Sequence, residues 1–176
     1  MELRELREGE LNRELFKDFD RFQEVKECWR KENGAWVVKE NPFTEQWKDE
    51  DYEVLVKCLK NTIRTGGVVF GCFLNGKLKG FTSVEGTPFG KENQYLDLSS
   101  LHVSRDLRGQ KAGSRLFKLA AEWAGKHGAR KLYISSHSSV ETQAFYKAMG
   151  CAEAREYDKE HVDREPCDCQ LEYVLE

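Results

Sequence analysis

A short turn with two glycines and two basic residues is the part of this sequence best suited to chemistry. It reads Arg108-Gly109-Gln110-Lys111-Ala112-Gly113-Ser114. The N–H groups of such a turn, at the start of a helix, concentrate partial positive charge that suits a phosphate. Gly109 and Gly113 would let a bulky anion approach the backbone, and Arg108 would add a full charge. The turn indicates an anion site. A tight loop that needs glycine for its shape would show the same pattern. The spacing matches neither a P-loop nor a dinucleotide-binding fingerprint.

A second polar group of residues, His137-Ser138-Ser139, begins another segment with helical periodicity. Ser138 and Glu141 have the spacing of a capping box, which predicts Ser138 as the N-cap. Tyr146 lies off the apolar face of this helix, and Gly150 ends it. A tyrosine in that position is more often half-buried packing than an acid, and both roles stay open on spacing alone.

The strand that precedes the anion turn has an irregular apolar pattern. Leu96 and Leu98 alternate, and Leu101 and Val103 alternate, but the two pairs are out of phase. An odd step in a strand indicates either a change of face or a β-bulge. We predict a bulge near residues 99–100, which would splay the strand from its neighbour and leave backbone groups free to bond a ligand.

The remaining periodicity indicates how these groups are positioned. Apolar gaps of three and four predict helices over 11–29, 50–64, 113–127 and 140–149. Alternation predicts strands over 68–74, 78–85, 95–103 and 131–136, with Asn75-Gly76 as a hairpin turn between the first two. A short strand or extended loop is expected at 35–38, and a final antiparallel pair at 153–157 and 170–175. This order predicts a single mixed-sheet domain of the α/β or α+β class.

Length and composition exclude several other classes. The 176 residues suit one domain, and a net charge of −3 argues against a generic nucleic-acid binder. No apolar run is long enough to span a membrane, and no secretory signal is visible at the N-terminus, so a cytoplasmic location is expected. The six cysteines form no CxxC pair and are expected to be reduced; Cys167 and Cys169 lack a second ligand pair, so no metal site is expected.

Three stretches taken together resemble the GNAT superfamily of N-acetyltransferases. They are Leu101-x-Val103, Arg108-x-x-x-x-Gly113 and Phe145-Tyr146-x-x-x-Gly150. The resemblance is strong over residues 95–150 and weak over 1–65, which share only helices before the sheet. It implies one GNAT-like domain over 1–176 with helices on both faces of a mostly antiparallel sheet of six to seven strands. Residues 1–66 would form a helical acceptor-side region, and 67–176 the sheet and acetyl-CoA core.

The resemblance also implies roles for single residues. The backbone around His102 would hold the pantetheine arm and thioester carbonyl, the turn would hold the pyrophosphate of acetyl-CoA, and Tyr146 would act as general acid at the coenzyme sulfur. Ser139 stands where many members have an asparagine beside the coenzyme. Lys111 replaces a motif glycine and would either strain the turn or add a cation; we favour the cation. The implied coenzyme-binding residues are Leu101, His102, Val103, Arg108, Gly109, Gln110, Lys111, Ala112, Gly113, Ser114, Ser139 and Tyr146.

Acetyl transfer needs an unprotonated amine, although an alkyl ammonium with a pKa of about 10 is almost wholly protonated at neutral pH. A base or a water relay must therefore take its proton. Ser99 falls where some family members carry a glutamate, so Asp97 and Glu85 are the nearest carboxylate candidates and His137 is a candidate relay. The Val103 N–H is the simplest donor for the developing oxyanion.

The function that follows is transfer of the acetyl group of acetyl-CoA to a primary amine of a small molecule, by direct attack in a ternary complex. Two alternatives stay open: acetylation of a protein or peptide amine, and a non-catalytic module that binds acyl-CoA as a sensor. No nucleic-acid or membrane partner is expected, and a homodimer is compatible with the family. The early aromatic residues could wall the acceptor pocket or simply pack. They are Trp29, Trp36, Phe43, Trp47 and Tyr52.

Overall fold

The chain forms a seven-stranded mixed sheet, a separate two-stranded hairpin and four α-helices in the computed structural model, which describes residues 1–176. The strands are β1 (Glu2–Glu5), β2 (Gln23–Glu32), β3 (Ala35–Glu45), β4 (Val68–Leu74), β5 (Lys77–Val84), β6 (Tyr95–Val103), β7 (Lys131–Ser136), β8 (Ala152–Glu153) and β9 (Cys169–Val174). The helices are α1 (Asp49–Arg64), α2 (Ala112–Lys126), α3 (Val140–Ala148) and α4 (Lys159–Arg164). The main sheet has the order β1-β4-β5-β6-β7-β9-β8, and β2 pairs with β3.

The centre of the sheet opens between β6 and β7. These two strands are its one parallel pair, and their pairing ends where Asp97 meets Tyr133. On the other side of β6, Ser100 pairs with Ser83 and Leu98 with Val84, so Ser99 is the extra residue of a β-bulge. The predicted bulge and splay are therefore confirmed, and the carboxyl ends of β6 and β7 diverge around an open wedge.

Each face of the sheet is covered by one long amphipathic helix. Helix α2 buries Leu116, Ala120 and Ala124, which are four residues apart, against the face that carries Leu96 and Leu98. Helix α1 covers the opposite face together with the N-terminal segment. The core on that face includes Leu6, Leu11, Phe16, Phe19, Tyr52, Leu59, Val69 and Phe81. The prediction of helices on both faces of a mixed sheet is confirmed. None of the helices has the length and apolar character that a membrane span requires.

The N-terminal third differs most from the sequence-based expectation. The helix predicted over 11–29 is wrong, because that segment is a 3-10 turn at Arg13–Phe16 followed by a loop and strand β2. Val25 and Cys28 are both buried three residues apart because the β2–β3 register shifts between Val25 and Glu27. The apolar gaps between Leu11 and Trp29 that predicted a helix therefore come from a 3-10 turn, a loop and an irregular strand in succession.

Elements elsewhere agree with the predictions within a few residues. The extended segment expected at 35–38 continues to residue 45 as β3, and the final antiparallel pair is present as β8 and β9, with β8 only two residues long. Strand β1 and helix α4 were not predicted. Both are short, and four to six residues carry too little periodicity to distinguish a strand or helix from a loop.

Candidate active site

A cavity of about 700 Å³ occupies the wedge between β6 and β7 and extends to the start of α2. Most of the residues selected from the sequence line it. These are Leu101, His102, Val103, Arg108, Gly109, Lys111, Ala112, Gly113, Ser114, His137 and Tyr146. Four selected residues do not line it: Gln110, Ser139, Asp97 and Glu85.

The backbone N–H groups of residues 109–114 point to no acceptor within the chain. Arg115 is the first residue of this segment whose N–H bonds back into the helix, to the carbonyl of Lys111 at 3.1 Å. The Gln110 side chain turns away from the cavity and donates to the Asp106 carbonyl at 3.3 Å. A run of free amides therefore lies at a helix start, and all of its residues except Gln110 line the cavity, an arrangement in which proteins hold phosphate groups.

Lys111 adopts the left-handed region of backbone space, with φ of 64° and ψ of 9°. For a residue with a Cβ this conformation costs about 1–2 kcal/mol relative to the right-handed region. The expectation that Lys111 mainly adds a cation is thus incomplete, since the turn does require the positive φ of the motif glycine. Lys111 also lines the cavity, so the added charge and the strain occur at the same residue.

The free edge of β6 presents main-chain groups to the wedge. Ser104 donates its N–H to the Lys79 carbonyl on the β5 side, at 2.8 Å. Because main-chain groups alternate sides along a strand, the N–H and C=O of Val103 point to the opposite side, into the wedge. The Val103 carbonyl accepts from Arg108 Nε at 3.1 Å, which fixes that guanidinium beside the amide run.

Tyr146 places its ring among buried side chains and its hydroxyl at the cavity. The residue is buried, and its ring packs edge-on against Phe117 and Phe145. The hydroxyl forms no hydrogen bond within the chain, so it is free to donate to a bound molecule. Burial raises the pKa of Tyr146 above its ordinary value, which keeps the hydroxyl protonated at neutral pH.

His137 and the residues after it close one end of the cavity. His137 Nδ1 accepts from the Ser139 N–H at 3.0 Å, so the neutral ring carries its proton on Nε2. The N-cap of α3 is Ser139, whose Oγ accepts from the Thr142 N–H, and not Ser138 as predicted. The Ser138 hydroxyl instead accepts from Arg30 of β2 at 2.6 Å. Ser139 is therefore buried as a cap and does not face the cavity.

The β2 segment also contributes to the cavity, through residues that the sequence analysis missed. Arg21, Gln23 and Glu24 line the cavity wall, and Trp29 donates its N–H to the Ser138 carbonyl at 2.8 Å. The missed residues follow from the wrong helix prediction over 11–29. Further lining residues that were not selected are Ser99, Ser135, Ser136, Glu141, Thr142 and Phe145.

His102 and the aromatic residues on the α1 face mainly pack against one another. The His102 ring lies 4.9 Å from Trp47 and 5.3 Å from Phe81, measured between ring centroids. Burial lowers the pKa of His102 to about 3, so the ring is neutral. Val103 packs on the α2 face of the sheet, and the neighbouring His102 side chain lies on the opposite face, as expected. Tyr52 is also buried, with its hydroxyl on the Phe19 carbonyl at 3.1 Å.

Asp97 belongs to an ion-paired cluster outside the cavity. Its Oδ2 lies 3.0 Å from His161 Nε2, and the other ring nitrogen lies 2.5 Å from Asp158 Oδ2. The hydrogen bond to Asp97, supported by Asp158, raises the pKa of His161 to about 9 against an opposing effect of burial. The His161 imidazolium of α4 neutralises Asp97. The Asp97 carboxylate is therefore bound to α4 and is not available to a substrate.

This cluster predicts a loss of stability at alkaline pH. Since the pKa of His161 is raised in the folded state, its stabilisation is complete below pH about 6.5 and disappears as pH rises through about 9. With a discount for partial solvent screening, we expect the free energy of unfolding to fall by roughly 1–2 kcal/mol between pH 6 and 10. Urea denaturation followed by circular dichroism would measure the fall, and His161→Gln should flatten it. An equal slope in the variant would assign the pH dependence to other groups.

Glu85 lies one side chain behind the cavity surface. Its Oε1 accepts from Ser99 Oγ at 2.7 Å and from Thr62 Oγ1 at 2.7 Å. Ser99 lines the cavity and Glu85 does not. The bulge at Ser99 thus connects the cavity to a carboxylate through one hydroxyl.

The chain is similar to known proteins in sequence pattern and in fold. The family model described as "Acetyltransferase (GNAT) family" matches residues 32–151. No curated protein matches the chain significantly in sequence.

Three solved structures illustrate the similarity of fold. A protein from Bacillus anthracis assigned as a streptothricin acetyltransferase, in complex with acetyl coenzyme A, has a TM-score of 0.72 and 17% identity, over 99% of this chain and 98% of that one. A nourseothricin acetyltransferase has a TM-score of 0.68 and 19% identity, over 99% and 96%. An aminoglycoside 6'-N-acetyltransferase complexed with coenzyme A has a TM-score of 0.55 and 13% identity, over 73% and 81%.

Proposed function

Since this chain belongs to the GNAT family of acetyltransferases, we propose that it transfers the acetyl group of acetyl-CoA to a primary amine of a small molecule, by direct attack in a ternary complex. The observation that carries this proposal is the run of free backbone amides over 109–114 at the mouth of a wedge-shaped cavity. A diphosphate satisfies several such donors at once, which neither a neutral ligand nor a single carboxylate does as well.

The coenzyme would follow the surfaces already described. Its pyrophosphate would rest on the amides of 109–114 with Arg108 and Lys111 beside it, and its pantetheine arm would run along the free edge of β6. The Val103 N–H, which points into the wedge, would bind the thioester carbonyl. Tyr146 would then lie where the sulfur ends, with a hydroxyl that has no partner within the chain.

These groups match the charges that develop in acetyl transfer. When an amine attacks the thioester carbon, the carbonyl oxygen becomes an oxyanion, and a fixed N–H donor such as that of Val103 stabilises it. When the tetrahedral species collapses, the departing sulfur gains negative charge. The protonated Tyr146 hydroxyl would donate to it, as the general acid of the reaction.

The carboxylates that line the cavity support a cationic amine as the acceptor. Glu24 and Glu141 line it, and their carboxylates favour an ammonium group. Structures of similar fold include a nourseothricin acetyltransferase and an aminoglycoside 6'-N-acetyltransferase, which supports a small polyamine-like acceptor over a protein amine.

The first test combines binding and turnover. Acetyl-CoA at about 100 times its Kd should stabilise the fold by about 2.7 kcal/mol, which corresponds to a rise in Tm of about 5 °C or more. Thiol release would then be measured with nourseothricin, kanamycin, spermidine and a peptide with a free N-terminus. We expect release with at least one of the first three. Binding without release for any amine would favour the acyl-CoA sensor, release with the peptide alone would favour a protein acetyltransferase, and no binding would overturn both.

A further inference from the structure

Ser99 is the bulged residue of β6, and the bulge directs its hydroxyl to a place where it can serve the reaction. We propose that Ser99 and Glu85 form a proton relay, in which Ser99 Oγ takes a proton from the acceptor ammonium and passes its own proton to Glu85. The relay rests on the proposed acetyl transfer, since it supplies the unprotonated amine that this reaction needs. It assigns the missing base to a pair of residues rather than to a single carboxylate at the cavity surface.

The hydrogen bonds at Ser99 fix the direction of the relay. The single hydroxyl proton of Ser99 lies toward Glu85 Oε1, at 2.7 Å. Ser83 Oγ lies 2.8 Å from Ser99 Oγ and must be the donor of that pair, because the Ser99 proton is already committed to a carboxylate. One lone pair of Ser99 Oγ therefore remains free. Because Ser99 lines the cavity, that lone pair is available to accept from a bound N–H.

Hydroxyl groups, and no cation, hold the Glu85 carboxylate in position for the relay. Thr62 of α1 bonds to the same Oε1 at 2.7 Å, and the Glu85 N–H donates to the Asp97 carbonyl at 2.9 Å. Neither Lys nor Arg forms an ion pair with Glu85, so no fixed cation competes with Ser99 for its Oε1. The nearest carboxylate along the sheet, Asp97, bonds to His161, which also bonds to Asp158. On the α1 face, His102 and Tyr52 are packed in the aromatic core, with the Tyr52 hydroxyl on the Phe19 carbonyl.

The step balances without any further reactant. The N–H bond of the ammonium breaks and an O–H bond to Ser99 Oγ forms, while the original Ser99 O–H bond breaks and an O–H bond to Glu85 Oε1 forms. The amine is left neutral with a free electron pair, and Glu85 becomes a neutral acid. After transfer, Glu85 returns the proton to solvent through the same hydroxyl, which restores the starting state.

The test compares Ser99→Ala and Glu85→Gln with the wild type at saturating acetyl-CoA, using the amine from the panel above that is turned over fastest. At pH 7 we expect kcat to fall about 100-fold in both variants, the lower end of the range for loss of a proton-transfer group, because water partly substitutes. At pH 10 a large fraction of an alkyl amine is already unprotonated, so both variants should approach the wild type. Ser99→Thr, which keeps a hydroxyl, should retain activity at pH 7.

The matched control is Thr65→Ala, which removes a hydroxyl at the end of α1 that bonds only to backbone carbonyls and lies outside the cavity lining, and we expect kcat within about two-fold of the wild type at both pH values. Circular dichroism at each pH would show that every variant remains folded. A loss in Glu85→Gln that is equal at pH 7 and pH 10, or normal kcat in Ser99→Ala, would overturn the relay while leaving acetyl transfer intact. If the wild type binds acetyl-CoA but acetylates no amine, the relay and the transferase proposal fail together.

Discussion

Gly113→Glu is expected to weaken acetyl-CoA binding by at least about 1000-fold, or about 4 kcal/mol. A Cβ at Gly113 would lie 3.2 Å from Phe145 Cε2 and 3.6 Å from Val103 Cγ2, so any side chain there enters the wedge. A glutamate would also place its carboxylate beside the free amides at the start of α2, which would bind it as they would bind a phosphate. Steric exclusion, charge repulsion and occupation of the donors all act against the coenzyme.

A second glycine of the same helix gives the matched control. Gly125 also lies in α2, and a Cβ there would meet no atom within 4 Å. Gly125→Glu adds the same charge to the same helix far from the cavity, so acetyl-CoA affinity should stay within about two-fold of the wild type. Isothermal titration calorimetry with acetyl-CoA measures both variants. Near-normal affinity in Gly113→Glu would show that the coenzyme does not bind at this turn.

The anion turn and the bulge could be predicted from the sequence because each depends on neighbouring residues. The turn requires glycine or a positive φ at fixed positions, and the structure has φ of 77° at Gly109 and 64° at Lys111. The bulge is visible as an odd step between two alternating pairs of leucine and valine. Both features position the cavity, so the candidate coenzyme site could be outlined before the structure was known.

The acceptor side could not be predicted, because it depends on contacts between distant segments. Asp97 looked available as a base, but its partner His161 lies 64 residues away on a short helix with no clear sequence signal. Arg21 and Glu24 were assigned to a helix because the apolar residues between Leu11 and Trp29 have helical spacing, although this segment forms a 3-10 turn, a loop and strand β2. Such pairings are set by tertiary packing, and local periodicity does not encode them.

Tyr146→Phe is expected to lower kcat about 100-fold at neutral pH, the lower end of the range for loss of a positioned acid. KM for acetyl-CoA should change little, because the hydroxyl would act on charge that develops only as the sulfur departs. The substitution removes no other interaction, since the hydroxyl has no partner within the chain and its removal leaves no group unsatisfied. Steady-state thiol release at varied acetyl-CoA concentrations separates kcat from KM.

Tyr173→Phe is the control that separates chemistry from packing. Tyr173 lies in the same hydrophobic core region, with its ring 5.0 Å from that of Phe117, but it does not line the 700 Å³ cavity. Loss of its hydroxyl should leave kcat unchanged, whereas a general sensitivity of this core to lost tyrosine hydroxyls would reduce kcat in both variants. Unchanged kcat in Tyr146→Phe would mean that the thiolate leaves without help from this residue. The amide run would then bind the coenzyme in a site whose leaving group is protonated by water.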